Sequence, residues 1–257
     1  MSRMHLTFEC QGRTCIGTLD SAPGTTGLML VSGGNEIRSG AFQGQSRLAA
    51  DIAKAGFPVF RFDRRGVGDS DGENRGFRKS EKDIAAALDA FRAIAPGIRR
   101  VVGFGNCDAA SALMLASGAG CDALILSNPW TIEDDDGTPP PEAIRSRYIG
   151  KLANPREWIR LLKGEIDLGK LGRGLAQAAK PKAAPSSLAR EMQAGLAEFA
   201  GPVMILLAES DRTAQVFASI WPSDDERIAR CPGASHAYVE PDAKTWLEQE
   251  ILGALRA

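Results

Sequence analysis

Five cysteines and two histidines restrict the nucleophilic chemistry open to this chain of 257 residues, and one of each falls where catalysis would use it. Cys107 lies in Val101-Val102-Gly103-Phe104-Gly105-Asn106-Cys107-Asp108-Ala109-Ala110, which reads as an apolar strand, a tight turn and the start of a helix. This is the setting of a G-x-S-x-G nucleophile elbow, with thiol for hydroxyl and Ala for the last Gly. A helix starting there points its positive end at the nucleophile and favours thiolate. Gly105, Ala109 and Ala110 supply the small neighbours that a strained turn needs, and the Asp108 N–H is placed to meet an oxyanion. The other reading of the same residues is a buried cysteine in a Gly-rich turn.

A literal G-x-S-x-G occurs elsewhere, at Gly68-Asp69-Ser70-Asp71-Gly72. No helix pattern starts directly after Ser70, and two flanking aspartates raise the cost of an alkoxide. Ser70 therefore reads as a structural loop residue. His5 lies in the first strand pattern, so the candidate base is His236, in the loop Pro232-Gly233-Ala234-Ser235-His236. The acid that orients it is expected in Ala208-Glu209-Ser210-Asp211-Arg212, with Asp211 the choice and Glu209 the runner-up. Asp211 also suits a helix N-cap, and the two roles can coexist. A second oxyanion donor is expected from Ser32-Gly33-Gly34-Asn35, with the Asn35 N–H preferred and Gly34 allowing substrate to approach the backbone closely. Arg38 is a candidate for binding an acyl or carboxylate group, and Trp130 for lining an acyl pocket. A solvated arginine and a packed tryptophan are the plainer alternatives.

The elements that must position these residues follow from hydrophobic period. Residues 4–10 and 13–19 alternate around Gln11-Gly12 and predict a hairpin. Strands come next near 27–31, 58–62, 100–104, 122–126, 202–207 and 226–230, with helices near 42–55, 77–94, 108–117 and 242–255. Strand–helix alternation of this kind predicts a mostly parallel eight-stranded sheet with helices on both faces. From 129 to 199 no strand pattern appears and prolines break a helical stretch. That length suits an inserted helical cap or lid, leaving 1–128 and 200–257 as the core domain.

A net charge of −1 gives no global basic field for nucleic acid. No run of 18 apolar residues predicts a membrane span, and the N-terminus lacks a secretory h-region. The odd cysteine count without C-x-x-C spacing suggests neither a disulfide framework nor a zinc site, and two histidines leave little room for a metal. These features predict a cytoplasmic enzyme with a small-molecule acyl substrate, no cofactor and no metal. Oligomeric state is not specified by the sequence.

The Gly-Gly loop, Arg61-Phe62-Asp63-Arg64-Arg65-Gly66-Val67-Gly68-Asp69-Ser70, the elbow, Asp211 and Gly233-Ala234-Ser235-His236 occur in an order that resembles the α/β-hydrolase superfamily over nearly the whole chain. More closely, the chain is similar to the exosortase A system-associated hydrolase 1 family. That likeness is carried by Val31-Ser32-Gly33-Gly34 with Arg38-Ser39-Gly40, by Gly105-x-Cys107-Asp108-Ala109, by Asp211-Arg212-Thr213-Ala214-Gln215, and by Arg147–Leu152 with Trp158–Leu162. The resemblance implies an α/β-hydrolase fold and esterase-like chemistry in the setting of bacterial exopolysaccharide and protein sorting. Asn35 replaces the proline expected at its position in such a loop. The expected reaction is hydrolysis of esters or thioesters by Cys107, His236 and Asp211. An acyltransferase and a dienelactone-type lactonase are the alternatives, beside a non-catalytic scaffold. Between 145 and 190, eleven Lys and Arg face three Asp and Glu, which suits either a solvated helical face or attraction of an anionic substrate.

Overall fold

The computed structural model describes residues 2–132 and 186–257. The basic run and Trp158, assigned to the cap from the sequence, lie outside the described residues apart from Arg190. Eight strands form one sheet: β1 (Arg3–Cys10), β2 (Arg13–Asp20), β3 (Thr26–Val31), β4 (Val59–Phe62), β5 (Arg100–Asn106), β6 (Ala123–Ser127), β7 (Val203–Ala208) and β8 (Ile228–Cys231). Their order is β1-β2-β4-β3-β5-β6-β7-β8. The first hairpin is antiparallel, β2 pairs antiparallel with β4, and every pairing from β4 to β8 is parallel.

The central strands are apolar on both faces because both faces are covered. In β3, Met29 and Val31 enter one core while Leu28 and Leu30 enter the other. Leu124 and Leu126 against Ala123 and Ile125 in β6 repeat the division, as do Ile205 and Leu207 against Leu206 and Ala208 in β7. This is the period-2 alternation of a strand buried on two sides. One face is covered by α1 (Gly44–Lys54) and α6 (Pro241–Arg256), through Leu48 and Ile52 and through Leu247 and Ile251. The other carries α2 (Glu81–Ile94), α3 (Asp108–Leu115), α4 (Ser187–Glu198) and α5 (Arg212–Ile220).

Helix α4 falls within 129–199, the stretch assigned to the cap from the sequence. Its Leu188, Met192 and Leu196 are buried in the same cluster as Leu113 and Met114 of α3. An amphipathic stripe has the same spacing whether it meets a sheet or a cap, so periodicity could not separate the two.

The chain leaves β3 for β4 on one side and later returns to β5 on the other. The carboxyl ends of β3 and β5 are thus the topological switch point, where adjacent loops diverge and open a crevice. Val31 pairs with Gly105 there, which brings the Ser32–Asn35 loop beside Cys107.

Candidate active site

Cys107 occupies the N-cap of α3 with φ 62° and ψ −128°. A non-glycine residue in that region costs on the order of 1–3 kcal/mol and persists only where its surroundings over-determine it. Here they do. The Cys107 N–H donates to the Ser127 carbonyl at 2.9 Å, and its own carbonyl accepts from the N–H groups of Ala110, Ser111 and Trp130. Gly105 is forced by the same turn, since a Cβ there would lie 2.6 Å from the Ala109 carbonyl carbon. With the backbone fully engaged, the thiol is left partly exposed at the sheet edge. The other four cysteines are buried, and burial pushes their thiols up, Cys15 to about 11 and Cys121 to about 12.

His236 stands in the loop after β8. Its Nδ1 lies 3.0 Å from Asp211 Oδ2, which leaves Nε2 for the Cys107 side chain, the ring's other hydrogen-bond partner. Asp211 is buried, and the same Oδ2 accepts the Ala214 N–H at 3.0 Å as the N-cap of α5. Both readings of Asp211 thus meet in one oxygen atom. Glu209 is exposed, its carbonyl accepting from Gln215 Nε2. Hydrogen bonding to Asp211, then to Cys107, raises the His236 imidazole to about 10 against the opposing effect of burial.

Two asparagines absent from the sequence-based site hold this histidine. Asn128, fully buried with φ 44°, accepts the Ala208 N–H at 2.8 Å and donates to Asn106 Oδ1 at 3.0 Å and to the His236 carbonyl at 3.4 Å. Asn106 donates to that carbonyl at 3.2 Å. One carboxamide therefore links the strand ends that carry Cys107, Asp211 and His236. The only sequence signal was an Asn directly after an apolar strand, which resembles any turn.

The remaining candidates divide. Gly34 lies against the elbow, and its N–H donates to Asp108 Oδ1 and Oδ2 at 2.7 and 2.8 Å. The Asp108 carboxylate also accepts from its own N–H and that of Ala109; burial pushes its carboxyl up, and these bonds with the Arg64 charge pull it down. Asn35 is next in the same loop, with Oδ1 accepting from Asn74 Nδ2 at 2.7 Å. Trp130 is half-buried against the core, its carbonyl accepting from Ser111 Oγ at 2.7 Å. Arg38 is not brought to the site. Its guanidinium pairs with buried Asp63 and donates to Thr18 Oγ1 at 3.1 Å, because Asp63 is a carboxylate out of water that needs a counter-charge. Among the described residues no cluster of three His, Cys, Asp or Glu suits a metal, and no helix is long and apolar enough to cross a membrane.

The fold recurs in solved structures. The Pyrococcus furiosus esterase Pf2001 superposes with a TM-score of 0.67 at 13% identity, covering 99% of this chain and 92% of that one. The alpha/beta hydrolase GrgF from Penicillium sp. sh18 gives 0.64 at 16% identity, covering 98% and 97%. Est1E from Butyrivibrio proteoclasticus, solved with ferulic acid bound, gives 0.60 at 14% identity, covering 98% and 100%. No curated protein matches the sequence. The model of the alpha/beta hydrolase family matches residues 28–249, which includes most of β3, the elbow, Asp211 and His236, and the chain belongs to that family.

Proposed function

We propose that the protein hydrolyses esters or thioesters through a covalent acyl-cysteine, with Cys107 as nucleophile, His236 as base and Asp211 as its orienting acid. The observation that carries this reading is the relay from Asp211 Oδ2 to His236 Nδ1, 3.0 Å apart, and on to the thiol of a cysteine held at positive φ. His236 takes the thiol proton to give an imidazolium, and the thiolate then attacks the carbonyl carbon. The tetrahedral oxyanion is met by the N–H groups of Asp108 and Asn35, an effect worth about 3–4 kcal/mol per donor. Collapse expels the alcohol or thiol, protonated by His236. Water, deprotonated by the same imidazole, then attacks the acyl-cysteine and thiolate departs.

Thiolate is itself a good leaving group, so adducts of amides and plain alkyl esters revert to substrate. Activated esters, thioesters and lactones fit better. The esterase neighbours support the same class of bond. The elbow Gly105-x-Cys107-Asp108-Ala109 and Asp211–Gln215 support a place among exosortase A system-associated hydrolases, acting in the cytoplasm. A panel of p-nitrophenyl esters and acyl-thioesters tests the proposal, read with intact-mass spectra of wild type and Cys107→Ser. An acyl mass confined to Cys107 is expected, and turnover without any adduct in either protein would count against it. Iodoacetamide at neutral pH is expected to label Cys107 ahead of the four buried thiols.

A further inference from the structure

Gly34 has both of its backbone polar groups held by side chains of opposite charge from different parts of the fold. Its N–H donates to the Asp108 carboxylate from the first turn of α3. Its carbonyl accepts from Arg64 Nη2, in the loop after β4. The loop lies so close to the elbow that a Cβ on Gly33 would sit 2.4 Å from Asp108 Oδ1 and 3.1 Å from the Asn106 carbonyl oxygen.

Arg64 is only 5% exposed, and a guanidinium so far from water needs compensation by charge and hydrogen bonds. It finds them in the fields of Asp108 and Asp83 and in the Gly34 carbonyl. Sheet packing alone gives no reason to keep a cation there. The hydrogen bonds of the loop give one. The Gly34 N–H is committed to Asp108, and the Glu36 N–H donates to the Gly33 carbonyl at 2.9 Å. Of the N–H groups at 34–36, the Asn35 N–H is the one left over for a substrate among the described residues.

We infer that Asp108 and Arg64 are positioning residues that clamp Gly34 against the elbow, so that the Asn35 N–H is presented to the oxyanion. This rests on the acyl-transfer reading above. The Asp108 side chain thereby fixes the loop that brings the Asn35 donor. Arg64 offsets the negative charge that this arrangement places beside the reacting centre.

The test compares two reactions of the same thiol in the full-length protein. Hydrolysis of p-nitrophenyl acetate needs oxyanion stabilisation. Alkylation of Cys107 by iodoacetamide does not, because sulfur displaces iodide at a saturated carbon and no oxyanion forms. Asp108→Ala and Arg64→Met are expected to lower kcat by about 30-fold or more while KM and the alkylation rate stay within about 3-fold. Asp108→Asn keeps a carboxamide oxygen for the Gly34 N–H and is expected to restore most of the loss. Equal losses in both reactions would overturn the inference, because they would mean a general collapse of the elbow. A rise in kcat would overturn it too, showing that the carboxylate competes with the oxyanion for the Gly34 N–H. Turnover surviving in Cys107→Ala would instead remove the acyl-transfer reading, and the clamp with it.

Discussion

Ser70 and Cys107 both sit in tight, Gly-flanked turns beyond a central strand, yet the two turns spend their hydrogen bonds in opposite ways. At Ser70 the side chain is consumed: Oγ donates to the Asp63 carbonyl at 2.8 Å and accepts the Ile16 N–H at 2.9 Å, stapling the loop after β4 to β2. At Cys107 the backbone is consumed, by Ser127 on one side and by Ala110, Ser111 and Trp130 on the other, and the side chain is left to face His236. The difference comes from the chain just beyond each turn. A helix starting directly after Cys107 supplies N–H groups to its carbonyl, whereas Ser70 leads into irregular chain. A nucleophile therefore requires a backbone satisfied without help from its side chain, which a short motif does not encode.

The contrast is sharpest under substitution. Cys107→Ala is expected to reduce ester turnover by about 10⁴-fold or more, as loss of a nucleophile does, while Ser70→Ala leaves it within about 3-fold; initial rates on p-nitrophenyl acetate check both. Asp211→Asn is expected to cost about 10²–10⁴ in kcat by fixing the wrong imidazole tautomer while preserving the helix cap. Asp211→Ala should lose activity and, in addition, about 1 kcal/mol of stability in urea melts. Ser70→Ala reverses the pattern. It leaves the part-buried Ile16 N–H without its acceptor and should lower unfolding free energy by about 1–3 kcal/mol.

The smallest effect is one of pH. The folded pKa of His236 is about 10, above its ordinary value of 6.5, so its contribution to stability is fully present below about 6.5 and disappears as pH rises through 10. The Tm gap between wild type and His236→Gln should accordingly shrink from pH 6 to pH 10. A constant gap would mean that the Asp211 contact does not favour the imidazolium.

The strand ladder was legible because each central strand is buried on two faces and reads as an apolar run, and Cys107, Asp211 and His236, picked from the loops beyond those runs, come together in the fold. Other features depended on partners remote in sequence. Arg38 looked available to a substrate because Asp63, twenty-five residues on, is brought against it only by folding. Asn128 gave no signal, since a carboxamide becomes a hub only once Asn106, Ala208 and His236 surround it. The side chain of Asp108 was hidden for a similar reason. Its neighbours along the chain suggest a backbone donor, and the Gly34 N–H that it binds comes from 74 residues away. The face on which the α4 stripe packs is likewise a tertiary property.

On the proposed mechanism, the single oxygen of Asp211 that receives both the Ala214 N–H and the His236 imidazole ties folding to function in an uneven way across Cys107, His236 and Asp211. A descendant of this chain released from selection for activity could drift at Cys107 or His236 at little expense to its fold, and at Cys107 could even relieve backbone strain with Gly. Drift at Asp211 would uncap a helix, unless the newcomer were Asn or Ser. The acid would then outlast the nucleophile, and an orphaned aspartate at that helix start would mark a scaffold that had once been an enzyme.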